Sequence, residues 1–195
     1  YYKPISEWNT KSIVDMSGLF QDDVSFNEDI SDWNTEQVNN MSEMFNGATL
    51  FNSDLSWNVS GVTNMRQMFK GAQTFNGDIN NWNVGNVTYM DNMFENASAF
   101  QGNLNSWNTQ NITIMSEMFK GATLFNSDLS WNVTKVTYMN GLFQDATIFN
   151  GNITNWDVTN VITMNSMFYG SSFNQPINQW TTSQVMDMSY MFKGS

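Results

Sequence analysis

Residues 57–81 read WNVSGVTNMRQMFKGAQTFNGDINN, and the same residue types recur in the same order behind each tryptophan. Tryptophans stand at positions 8, 33, 57, 82, 107, 131, 156 and 180, so each unit is 24 or 25 residues long. A fixed period of that length marks a repeat architecture, in which every unit buries its apolar face against its neighbours. Residues 1–195 therefore read as one array, with turns starting near Trp8, Trp33, Trp57, Trp82, Trp107, Trp131, Trp156 and Trp180. Recent duplication is visible in two blocks. Met41–Val59 and Met115–Val133 differ only where Asn46 is replaced by Lys120. The array opens at Tyr1, within the end of a turn that includes Ile5, and stops at Ser195 in mid-repeat without a polar cap. It reads as a segment of a longer protein.

Two periodicities alternate inside each unit. Val62, Met65, Met68, Phe69 and Ala72 fall on one face of a helix, with Thr63 or Asn64 placed to cap its start and Gly71 its end. Leu55, Trp57 and Val59 alternate with the strand period of two. The sequence thus predicts an α/β repeat solenoid. Its form would be a leucine-rich-repeat-like arc of about eight turns. Each turn would be a short strand around Trp plus a short helix or 3-10 turn around Met-Met-Phe. Strands stack at ~4.8 Å and helices at roughly 8–10 Å, so such a coil curves with its strands inside. A thin 3-10 turn in place of the helix would give a straighter, β-helix-like coil.

Composition narrows the function classes. The net charge is −11, from 18 acidic and 7 basic residues, which disfavours nucleic acid and anionic lipid as partners. The chain has no cysteine and no histidine, so it lacks thiol chemistry and the commonest general base and transition-metal ligand. No apolar run approaches the ~20 residues of a membrane-spanning helix. The acids recur with the period, and no nucleophile–base pair or phosphate loop is present. An enzyme is not expected, and no catalytic residues are assigned.

The repeated columns can be weighed one at a time. Evenly spaced tryptophans could stack sugar rings, but their alternation with Val, Ile and Leu points to the core, leaving a partly exposed platform as the lesser reading. The methionines at 16, 41, 65, 90, 115, 139, 164 and 188 sit at core spacing. Asparagines after Trp and after Phe suit a turn-to-turn hydrogen-bond ladder. Asp29, Asp54, Asp78 and Asp128 form an acidic column that could collect Ca²⁺, although Asn103 and Asn152 interrupt it. No cofactor is expected, and Ca²⁺ is the one ion left open. Asn40, Asn58, Asn86, Asn96, Asn111, Asn132 and Asn152 lie in N-x-[ST] sequons, of which Asn86 and Asn111 look most accessible.

The pattern W-N-V-x-x-V-T-x-M-x-x-M-F-x-G-A-x-x-F-N-x-D-[IL] resembles the BspA-type leucine-rich-repeat surface proteins. Trp156-Asp-Val-Thr-Asn-Val161 and Trp57-Asn-Val-Ser-Gly-Val-Thr-Asn-Met65 carry the likeness most clearly, and it spans essentially the whole chain. This chain departs from the pattern by placing Asn after Trp where the family prefers Asp, which only Asp157 keeps. The resemblance implies extracellular display on a cell or virion surface, as a lipoprotein or anchored adhesin, and binding to a host or neighbouring-cell protein or glycan. It transfers no catalytic residues. The expected function is a non-enzymatic adhesion module presenting variable positions such as Ser60-Gly61, Gly85-Asn86 and Thr134-Lys135. The alternative is a structural spacer or filament subunit that self-associates end to end through open solenoid ends.

Overall fold

The computed structural model describes residues 3–195; Tyr1 and Tyr2, in the partial turn expected before Trp8, lie outside the described residues. The chain forms coils stacked in register. Seven isolated parallel bridges join Asp15, Asn40, Asn64, Tyr89, Ile114, Tyr138, Thr163 and Asp187 in one unbroken column. The residue before each bridge reaches back one coil, as Thr63 N–H does to the Asn39 carbonyl at 2.9 Å. The residue after it reaches forward, as Met65 N–H does to the Tyr89 carbonyl at 3.0 Å.

The helix-and-strand solenoid expected from the periodicities is not what forms. Among the described residues the only helix is a 3-10 turn at Ile5–Glu7, and no strand extends beyond a single bridge. The reason lies in where the amides point. Across residues 65–72, Met65, Gln67, Phe69 and Gly71 donate to carbonyls of the next coil, at 3.0, 3.0, 2.9 and 2.7 Å. Met68, Lys70 and Ala72 instead donate three residues back within their own coil. Half the donors leave the segment, so the ladder a helix requires cannot close.

Backbone conformation agrees. Gln67 has φ +56° and Gly71 φ +68°, and the corresponding residues of the other coils are also left-handed, among them Glu43, Asn92, Glu117 and Ser166. A left-handed residue every fourth position turns the segment into consecutive tight turns whose third residue has positive φ. Such a string still places Met65, Met68, Phe69 and Ala72 on one side, and all four are fully buried. The spacing that resembles a helix reports which side faces the core, and the core side is as expected. Gly71 and its equivalents, read from sequence as helix caps, are left-handed turn residues instead.

The tryptophan corner lacks a strand for a related reason. There the backbone folds on itself, with Trp82 N–H donating to Ile79 and Val87 N–H to Val84. The link between coils is made by the side chain: the Trp82 indole N–H donates to the Leu55 carbonyl of the preceding coil at 2.8 Å. Trp57, Trp107, Trp131 and Trp156 repeat that bond at 2.7–3.2 Å. Gly77 is required at its corner because a side chain there would run into the Ser53 carbonyl of the coil before.

The core consists of aromatic columns running through the stack. Phe45, Phe69, Phe94, Phe119 and Phe143 follow one another at 5.5–5.6 Å. A second column, from Phe51 to Phe149, runs at 5.8–6.0 Å and meets the first ring-on-ring within each coil at 3.7–4.1 Å. Tryptophans from Trp57 to Trp180 form a third column at 6.3–6.4 Å, and Trp8 stacks on Trp33 at 6.3 Å. In the terminal coils of the described residues the same columns are partly open, with Trp8, Met188 and Phe192 about half exposed.

Candidate functional site

Most of the residues singled out by the repeat are occupied in holding the coils together. Trp33 to Trp156 are 3–5% exposed and belong to the core; none offers a face for stacking a sugar. The asparagines divide into two groups. Those after Phe make the ladder: Asn52 Oδ1 accepts the Asn76 N–H at 2.7 Å, and Asn126 Oδ1 accepts the Asn150 N–H at 2.7 Å. Those after Trp close local turns instead, as Asn58 Oδ1 does by accepting the Ser60 N–H and hydroxyl.

The acidic column is likewise committed to backbone. Asp54 Oδ1 accepts the Asp78 N–H and Asp128 Oδ1 the Asn152 N–H, both at 2.8 Å. Asp29 takes the Ser31 hydroxyl and N–H, which lowers its carboxyl pKa. Among the described residues no group of three or more Asp or Glu is arranged to hold a metal ion. The corner expected to recognise a partner is also cross-tied: Asn86 Nδ2 donates to the Ser60 carbonyl and Asn111 Nδ2 to the Gly85 carbonyl, at 2.8 and 2.7 Å. Those nitrogens are the atoms a glycan would occupy, so the two sequons that look most accessible in sequence are engaged in structure. Lys135 is exposed and bonds to Asn111 Oδ1 at 2.7 Å.

A different surface escapes these duties. Along the bridge column an open groove of about 450 Å³ crosses successive coils, lined by Asn64, Arg66, Tyr89, Asp91, Ile114, Ser116, Tyr138 and Asn140. The bridge itself positions them. Asn64, Tyr89, Ile114 and Tyr138 are the paired residues, and the other four follow two places later on the same side. Tyr89 and Tyr138 stand out at 45% and 42% exposure. Neither hydroxyl has a hydrogen-bond partner among the described residues.

The polar members of the groove are held in place. Arg66 Nε meets Asp91 Oδ2 at 2.6 Å, with the aspartate almost fully buried and the arginine mostly exposed. Ser116 Oγ donates to Asn140 Oδ1 at 2.7 Å, and Asn64 Oδ1 accepts the Arg66 N–H at 3.1 Å. These contacts fix the amide orientations, leaving Asn64 Nδ2, Asn140 Nδ2 and the Arg66 Nη groups as unused donors. The groove thus offers two aromatic faces, one aliphatic side chain between them, and a margin of hydrogen-bond donors.

The repeats match the family described as Mycoplasma protein of unknown function, DUF285, over residues 1–107, 55–130 and 99–195, which together cover every residue. The chain belongs to the DUF285 family. No curated protein and no solved structure matches it. Within this DUF285 array the bridge positions and those two residues later vary from coil to coil, while the Trp, Met and Phe columns hold nearly constant. That contrast was the available sequence signal for the groove. It was missed because the residue before each Met was assigned to a helix start.

One charged cluster in this DUF285 chain flanks the groove. Glu95 is buried, paired with Lys70 at 2.8 Å and Lys120 at 3.7 Å, and accepts the Asn92 amide at 2.8 Å. Burial opposes the charge on Lys120, but the hydrogen-bonded Glu117 carboxylate and nearby Glu95 outweigh it and raise its pKa. Arg66–Asp91 and Lys70–Glu95 are parallel rungs between the same two coils. A slipped register would leave two buried carboxylates without their cations, so the cluster fixes which coil sits on which.

Proposed function

We propose that this chain is a non-enzymatic binding or adhesion module, displayed at a cell or virion surface, that recognises a protein or glycan through the Tyr89–Tyr138 groove. The observation that carries the reading is the division of labour among columns. The repeating residues are consumed by core and ladder, whereas the groove gathers non-repeating residues and leaves two tyrosines half exposed. Large aromatic side chains in a surface groove, with polar groups already oriented by internal bonds, are the usual anchors of recognition. The BspA-type resemblance supports surface display as the setting. Among the described residues no helix is long and apolar enough to cross a membrane.

The test is attachment. Beads coated with the chain should adhere to cells that bear the partner, and the Tyr89→Thr/Tyr138→Thr double variant should lose most of that adhesion. Threonine already occupies the equivalent position at Thr163, so the coil should accept it. Equal adhesion by wild type and a correctly folded double variant would refute the groove as the binding site.

A further inference from the structure

Resting on the binding-module reading, we propose that the groove holds a proline-rich segment in the polyproline II conformation, carrying basic residues at its flanks. The first argument is a match of repeats. Coils joined by backbone ladders rise ~4.8 Å each, so Tyr89 and Tyr138, two coils apart, lie ~9.6 Å apart along the stack. A polyproline II helix advances ~9.3 Å in one turn of three residues. The two tyrosines therefore meet the same edge of such a helix one turn apart, with Ile114 facing the half-turn between them. An extended strand repeats its side every ~6.8 Å, and an α-helix advances ~5.4 Å per turn. Neither keeps pace with the tyrosines.

The second argument is hydrogen-bond chemistry. A polyproline II segment has no internal hydrogen bonds, and each proline presents a carbonyl while lacking an N–H. It needs donors and supplies none. The groove has that complement. Its free polar groups are mostly donors, the Nδ2 of Asn64 and Asn140 and the Nη groups of Arg66, with the two tyrosine hydroxyls able to donate or accept and Asp91 Oδ1 as an acceptor. Its amide oxygens are each half used, Asn64 Oδ1 by the Arg66 N–H and Asn140 Oδ1 by the Ser116 hydroxyl. A neutral oligosaccharide brings a donor with every hydroxyl, and these would meet more donors than acceptors, the chief acceptor being Asp91 Oδ1.

The third argument is charge. Within the groove Arg66 and Asp91 neutralise each other, and residues 64–140 hold five acids against four bases, so most of the net −11 lies in residues 1–63, with ten acids against two bases. That field repels polyanions and draws Lys or Arg at the ends of a neutral, proline-rich centre, most strongly at the end nearer the first coils. The rigid polyproline helix also loses little conformational freedom on docking, which suits a shallow set of aromatic contacts.

The experiment is a fluorescence-anisotropy titration of the intact chain with a labelled peptide of prolines flanked by arginines. A Gly/Ser peptide with the same flanks and an unlabelled neutral cello-oligosaccharide serve as comparisons. The proline peptide should bind about tenfold or more tightly than the Gly/Ser peptide, and Tyr89→Thr/Tyr138→Thr should remove that advantage. Replacing the arginine flanks with glutamates should weaken binding, and added salt should narrow the difference. Should the Thr pair unfold, Tyr89→Asn/Tyr138→Asn, copying Asn64 in the same column, takes its place. Equal affinity for both peptides would overturn the proposal, as would affinity indifferent to the tyrosines. Tyrosine-dependent oligosaccharide binding without peptide binding would reassign the groove to a glycan and leave the adhesion reading intact. Tyrosine-dependent peptide binding alongside unchanged cell attachment would keep the proline site and remove the adhesion role.

Discussion

Replacing Gln67 by glycine should stabilise the protein, whereas the helix suggested by its sequence would be destabilised by the same change. Gln67 has φ +56°, its side chain makes no hydrogen bond among the described residues, and glycine already fills the equivalent position at Gly18 and Gly141. Relieving a left-handed non-glycine residue returns about 1–2 kcal/mol. The added freedom of the unfolded chain takes back roughly 0.4–1 kcal/mol. The net gain is therefore about 0.5–1 kcal/mol, and Ser166→Gly in a distant coil should add a similar amount. In a helix interior each glycine would cost about 0.5–1 kcal/mol. Gly71→Ala is the mirror test. Its Cβ would meet nothing nearer than Gly47 Cα at 3.7 Å, so the cost is conformational, about 1–2 kcal/mol, where a helix would gain. Thermal unfolding followed by tryptophan fluorescence reads all three. At about 2–4 °C per kcal/mol for a chain of this size, the Gln67→Gly/Ser166→Gly pair should melt a few degrees higher and Gly71→Ala a few degrees lower. The opposite signs would refute the string of left-handed turns.

Three further outcomes follow from the same geometry. Trp82→Phe leaves the Leu55 carbonyl without its indole donor and opens a cavity where the second ring lay, costing at least about 1–3 kcal/mol by urea denaturation. Glu95→Gln strips the buried partner of Lys70 and Lys120, and the lower melting temperature should recover less with added salt than an exposed pair would allow. Asp15 and Asp187 are held below the usual aspartate pKa chiefly by the N–H of Ser17 and Ser189, and Asp29 and Asp157 chiefly by the hydroxyls of Ser31 and Thr159. Depressed folded values mean that their stabilisation is fully present above about pH 4 and is lost as pH falls through those lowered values. Lys120, raised, behaves oppositely and is lost only in strong alkali as pH passes its folded value. Melting temperature should therefore be flat near neutrality and fall on acidification.

The period, the buried face and the identity of nearly all core side chains were legible in residues 57–81, because burial alone demands those residue types at those places. The secondary structure was not, and Met65-Arg-Gln-Met68-Phe69 shows why. Apolar spacing specifies which side chains share a side, and a helix and a string of alternating turns share the same sides. What separates them is whether the Gln67 amide bonds within its own coil or to the Asp91 carbonyl of the next, 24 residues later. No local propensity encodes that choice. It is made by stacking, since the carbonyls that receive the outgoing amides exist only once the neighbouring coil is in place, and each coil in turn supplies carbonyls to the one before. The column at Asp22, Gly47, Gly71, Asn96, Gly121, Asp145 and Gly170 was the readable hint, because glycine, asparagine and aspartate are the residues that tolerate positive φ. The same dependence on neighbours hid the groove. Tyr89 and Tyr138 lie 49 positions apart in sequence, and only a backbone ladder that stacks one bridge residue per coil brings them onto a common line. A scaffold of this kind lets bridge-position side chains change freely, because at that column the coils are joined through backbone atoms. Side chains can therefore differ at that column without disturbing the core beneath it.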